Sequence, residues 1–180
     1  MRRLGTLSLA AFLLGTGVVY AAGTGFLPPI ADGVHQDFTP VGSAQHFQNV
    51  DDALDCNGIT DYNETFGIND RDSYFVDISG VPAGATITRV DIVPCASRAS
   101  LLPGGAKMRV FAIVDGVQTP DAGSYSIGLS GSNVPVRLAT TTVFTNAVKT
   151  ATSTVQVGAV LTTNGGGLRL SGIRARVVFQ

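Results

Sequence analysis

The sequence predicts an all-β fold: a two-sheet antiparallel β-sandwich, jelly-roll-like, with an N-terminal signal peptide and an extended N-terminal arm. Three observations predict it. Beyond residue 50 apolar residues recur at every second position in short runs. Gly, Pro, Asn and Asp turns separate those runs every 8–15 residues or so. No stretch after the leader keeps a helical period over three turns. The chain has no tryptophan, which sets it apart from the usual immunoglobulin-type sandwich.

The first 21 residues read as a signal peptide. Met1-Arg2-Arg3 supplies the positive start, residues 4–19 form an uncharged apolar run, and Ala21 is the small residue before the expected cut. The run is about 16 residues and is broken by Gly15 and Gly17, short of the roughly 20 needed to span a bilayer. Cleavage leaves about 159 residues, room for one domain with a sizeable core. Losing Arg2 and Arg3 takes the formal charge from −1 to about −3, which argues against nucleic acid as a partner. Charged residues are only 14% of the chain, a composition that suits an exported β-protein or a self-associating subunit.

Residues 22–50 are polar and punctuated by Gly and Pro. They are expected either to lie as a loose arm over the domain or to pair with the open edge of a second copy. Residues 51–77 hold eight of the thirteen acids, offset only by Arg71. Such a density of oxygen donors suits Ca²⁺, with Asp51, Asp52, Asp55, Asp61, Asp70 and Asp72 as candidate ligands. The spacing does not match an EF-hand loop, and ordinary turn residues flanking strands explain the same composition. Asn63-Glu64-Thr65 is an N-glycosylation sequon.

Residues 72–78 and 85–93 read as two strands folded on each other around the turn Ser79–Gly84, with Thr86, Thr88, Val90 and Ile92 facing the core. Residues 107–114 alternate, with Met108, Val110, Ala112 and Val114 on one side. Asp115-Gly116 is a two-residue hairpin signal. Strands follow at 124–129, 134–138 and 140–144, Pro135 marking the second as an edge. Residues 154–161 present Val155, Val157, Ala159 and Leu161 on one face. In 168–179 the apolar phase changes at Ser171-Gly172, which predicts a bulge inside a central strand. Cys56 and Cys95, an even pair in an exported chain, are expected to form a disulfide. Closing a loop of about 40 residues contributes on the order of 3–4 kcal/mol in the chain-entropy picture.

Catalytic chemistry finds little support. His35 and His46 are eleven apart and fit no common metal motif, no Gly-x-Ser-x-Gly elbow occurs, and Gly165-Gly166-Gly167 precedes a strand and not a helix. Two carboxylates meeting only in the fold would leave room for a hydrolase.

Asp61-Tyr62, Asp72-Ser73-Tyr74-Phe75, the run from Gly84 to Val90 and a further strand ending near Arg98 carry a resemblance. Over about residues 47–179 the chain resembles the jelly-roll-like β-sandwich modules of secreted bacterial surface proteins and virion-associated proteins. That resemblance implies a structural, adhesive or carbohydrate-binding role and carries over no catalytic residue; the cysteine pair departs from it. The expectation is therefore an exported, non-enzymatic surface subunit, residues 51–180 forming the sandwich, that assembles with itself through residues 22–50. The alternatives are a calcium-dependent module for surface glycans and a secreted hydrolase.

Overall fold

A computed structural model describes residues 21–51, 56, 60–100, 104–127 and 134–180. The expected leader lies outside the described residues except for Ala21. In chain order the strands are β1 (Ala22–Gly23), β2 (Pro29–Gln36), β3 (Thr39–Val41), β4 (Tyr62–Thr65), β5 (Arg71–Val76) and β6 (Thr86–Ser97). They continue with β7 (Ala106–Val114), β8 (Val117–Gln118), β9 (Ala122–Ile127), β10 (Val136–Arg137), β11 (Thr141–Val148), β12 (Val155–Thr163) and β13 (Leu168–Phe179). A 3-10 turn, His46–Asn49, lies between β3 and β4. Among the described residues no helix is long and apolar enough to cross a membrane.

The strands form two antiparallel sheets packed as a jelly-roll-like sandwich. Sheet A runs β10-β6-β13-β4-β3, with β11 also on β6 and β1 also on β13. Sheet B runs β2-β5-β12-β7-β8, with β9 also on β7. The two-residue alternation sorts side chains as expected on the central strands. Met108, Val110, Ala112 and Val114 of β7 meet Val155, Val157, Ala159 and Leu161 of β12 in the core, against Ile173, Ala175 and Val177 of β13. The bulge in β13 is where the phase change placed it: Leu170 pairs with Ala96 and Gly172 with Cys95, so Ser171 is the extra residue and both apolar sets face inward. Asp115 and Gly116 both have positive φ, +51° and +79°, which is the hairpin geometry that matches strand twist between β7 and β8.

The Cys56–Cys95 disulfide is present, with Cα atoms 5.5 Å apart, and fastens the segment after residue 50 to β6. On the outer side of sheet B, Phe111, Ile113 and Val160 form a smaller buried cluster. Its closeness depends on Gly158, since a Cβ there would sit 2.4 Å from Phe111 Cζ.

Three expectations change. Strands β5 and β6 are not a hairpin; they lie in opposite sheets. Ile78 and Val81 in the link between them are buried in the core, so the connection plugs the end of the sandwich instead of turning outside it. On β6 the inward residues are Ile87, Val90 and Ile92, because the ladder slips between Arg89 and Ile87 and leaves Thr88 over. Thr86 and Thr88 are therefore only half-buried.

Residues 22–50 are not a loose arm. β1 and β3 extend sheet A, β2 forms an edge of sheet B, and Phe38 and Val50 lie in the core at 2% and 0% exposure. Scattered apolar residues without a period concealed this, because a chain that crosses between sheets need keep no single period. The strand β2 is pinned where its ladder slips between Asp32 and Gln36: the Val34 amide donates to Gln156 Oε1 (2.9 Å) and the His35 amide to Ser73 Oγ (3.0 Å).

Candidate functional site

The acidic segment does not come together as one cluster among the described residues. Asp51 is exposed, and its backbone carbonyl accepts from Arg174 Nη2 (2.7 Å). Asp61 Oδ1 accepts from Thr60 Oγ1 (3.2 Å), and Asp70 Oδ2 accepts from Thr65 Oγ1. Asp52 and Asp55 lie outside the described residues. Among those described, no three His, Cys, Asp or Glu side chains gather closely enough to hold a metal ion.

Asp72 has a different environment. It is fully buried on β5, its Oδ2 2.8 Å from His46 Nδ1 and accepting from the Tyr74 hydroxyl at 2.8 Å. Asn63 on β4 donates its amide to the His46 carbonyl and to the Tyr74 oxygen, both at 2.9 Å, and accepts from Asn49 Nδ2 (3.0 Å). The network thus ties the 3-10 turn to both sheets at once. Burial pushes the Asp72 carboxyl up to about 6, more than the bonds from His46 and Tyr74 pull it down. Burial also holds the Tyr74 hydroxyl well above its ordinary value, with the neighbouring Asp72 adding to the effect. Asp72 Oδ1 has no hydrogen-bond partner among the described residues. With Asp72, Tyr74 and Asn63 each at 0% exposure, no substrate reaches these groups, and the cluster works as a clamp. The Asn63 sequon falls inside it: both amide hydrogens are spent on buried acceptors, and a sugar on Nδ2 has no path to solvent from this position.

Accessible chemistry lies elsewhere, where the two sheets part. A groove of about 430 Å³ runs between the β7–β8 hairpin and β11, with Val117 and Gln118 on one wall and Phe144, Thr145 and Asn146 on the other. Phe144 is 76% exposed and Val117 72%. Sheet A is irregular at this wall, its ladder slipping between Phe144 and Ala147. Gln118 Oε1 contacts His35 Nε2 at 3.2 Å. Asp115, the one ionisable side chain among the described residues that line the groove, is already engaged: Oδ1 accepts from the Thr154 amide (2.8 Å) and Oδ2 from Ser153 Oγ (3.1 Å). An open apolar platform flanked by amide and hydroxyl groups can bind a ligand that is apolar on one face and hydroxylated at its rim. Sequence reasoning placed Phe144 in a short strand without singling it out. The signal was an aromatic in the polar phase of that strand, with Thr142 and Asn146.

A second surface cluster surrounds Asp91 on the outer face of sheet A. Asp91 Oδ2 accepts from Arg176 Nη2 (2.7 Å) and Nε (3.0 Å), and Oδ1 from Thr142 Oγ1 (2.7 Å). Arg176 also lies 5.3 Å from the centroid of Phe26. Burial alone would raise the Asp91 carboxyl, but Thr142, Arg176 and Arg89 outweigh it and hold it below its ordinary value.

No protein-family model matches the chain. No curated protein matches it either. Solved structures do resemble it in shape. A family 35 carbohydrate-binding module from Clostridium thermocellum matches over 86% of this chain and 90% of its own, at 10% identity and a TM-score of 0.42. The CBM36-1 domain of a multidomain xylanase from the hindgut metagenome of Trinervitermes trinervoides matches over 88% and 96%, at 14% identity and a TM-score of 0.35. Dimeric latent PorU from Porphyromonas gingivalis matches over 86% of this chain but 14% of its own length, at 12% identity and a TM-score of 0.42.

Proposed function

We propose that the chain is an exported, non-catalytic binding module that holds an oligosaccharide in the groove beside Phe144. The observation that carries this reading is the Phe144 ring, exposed on a groove wall with Asn146, Thr145 and Gln118 within the same lining. The apolar face of a sugar ring stacks on such a platform while its hydroxyls pair with amide and hydroxyl side chains. Hydrolysis has no support there, since it needs two carboxylates and, among the described residues, Asp115 alone lines the groove. Self-assembly through residues 22–50 as a loose arm loses its motivation, because that segment pairs within its own sandwich. An adhesive role follows from glycan binding without it.

The test is a glycan array with the purified protein and its Phe144→Ala variant, each with and without a chelator. The expected result is binding to a set of neutral oligosaccharides that weakens roughly tenfold in the variant, the scale of losing a central aromatic anchor. Equal binding by both proteins would remove the groove from consideration. Loss on chelation alone would instead point to calcium and the 51–77 segment.

A further inference from the structure

The cluster around Asp91 carries one more positive charge than its carboxylate can neutralise. Both oxygens of Asp91 are taken, one by Arg176 and one by Thr142. Arg89 Nε lies 3.6 Å from Oδ1, an ion pair too long for a hydrogen bond, and is itself buried, so the donors Arg89 can offer outward are those of its guanidinium end. The side chains of Arg89 and Arg176 are 42% and 40% exposed. Both line a cup of about 290 Å³ on the outer face of sheet A, closed by Val178 and by the backbone of residues 22–24. A guanidinium is a planar fork of N–H donors that matches the paired oxygens of a carboxylate or sulfate, and one without an acceptor is poised to take them.

We propose that Arg89 and Arg176 form a binding site for one oxyanion, a carboxylate or sulfate group, in this cup. Arg89 supplies the unspent donors, and Arg176, held rigid by Asp91 and Phe26, supplies the second wall. The oxyanion comes either from a free inorganic ion or from an acidic group on a larger ligand. Phe144 is the cross-strand partner of Arg89, so the groove wall and the cup stand on neighbouring strands. The site does not depend on the groove being occupied.

The experiment is an NMR titration of the protein with sodium sulfate at constant ionic strength, chloride serving as the reference. The expected result is saturable shifts of the Arg89 Nε–H and the Gly23 and Val178 amides, with a midpoint of roughly 1–10 mM. Arg89→Gln is expected to weaken binding at least tenfold, whereas Lys149→Gln, away from the cup, leaves it unchanged. If Arg89→Gln does not fold, Arg89→Lys keeps the charge and loses the fork, and is expected to weaken sulfate at least threefold. Drifts no larger than those with chloride, or an Arg89 variant that titrates like the parent, overturn the proposal. A sulfated disaccharide binding more tightly than sulfate assigns the site to a ligand-borne group; equal midpoints assign it to the free ion. Phe144→Ala is expected to leave the sulfate midpoint in place, so failure of the groove and failure of the cup are told apart.

Discussion

Asp72 and Asp91 are both carboxylates on strands, each facing a basic side chain and a hydroxyl, yet they respond to the fold in opposite directions. Asp72 sits between the sheets with one histidine, one tyrosine and an unpartnered oxygen, and its carboxyl rises to about 6. Asp91 sits on the outer face with two arginines and a threonine, and its carboxyl is lowered. What separates them is the balance between lost hydration and the number of permanent cations supplied in return. The inner group is bound for architecture at an energetic cost. The outer one is over-compensated, which leaves charge available for a ligand.

The largest expected effect removes parts of both clusters together. Deleting residues 22–50 takes His46 and Asn49 from the inner network and Phe26 from the outer one, along with core residues Phe38 and Val50. Losing two large buried side chains alone costs several kcal/mol, comparable to the whole stability of a domain. The deleted protein is expected to show no cooperative thermal transition by circular dichroism. A folded, dispersed NMR spectrum from it would restore the arm as a separate unit.

Next in size is the pH dependence that Asp72 imposes. Its folded pKa, about 6, lies above the ordinary carboxylate value, so the folded state holds this proton more tightly than the unfolded chain does. The stabilising contribution is complete below about pH 4 and is lost as pH rises through 6. At 1.36 kcal/mol per unit, that loss is about 3 kcal/mol. Asp72→Asn cannot ionise, so urea unfolding should show the variant gaining about 3 kcal/mol on the parent between pH 4 and pH 7. A difference that stays flat over that range would mean the carboxyl is not desolvated as described.

The smallest of the three effects has the opposite slope. Asp91→Asn is expected to cost about 1.5–3 kcal/mol at pH 7, the scale of hydrogen bonds to a charged group. Because the Asp91 carboxyl is lowered, its contribution is present above its ordinary pKa and lost as pH falls through the folded value. The deficit of the variant should therefore shrink in acid. Stability curves for the two variants that run parallel with pH would erase the distinction between the clusters.

Much of the fold was legible in the chain, and most clearly on its most buried strands. The parity of β7 and β12, the bulge at Ser171, the Asp115-Gly116 turn and the Cys56–Cys95 bond are each local or pairwise signals, readable from a two-residue period or a count of cysteines. The site was far less legible. The six candidate calcium ligands among the eight acids of 51–77 looked like one group because they are close in sequence, and the fold places Asp72 inside while leaving Asp51 in solvent. Phe144 and Arg89 are 55 residues apart and meet only because β11 adds to β6.

What the residues determined alone is which side chains are buried on β7, β12 and β13 and where the Asp115-Gly116 hairpin turns, since those follow from the pleat and from steric limits on φ. What only the tertiary structure decided is which strands become neighbours: β5 and β6 in opposite sheets, residues 22–50 woven into both, two arginines gathered around one carboxylate. Pairing is decided by the sum of many contacts between distant segments, and no single segment carries the information to choose its partner.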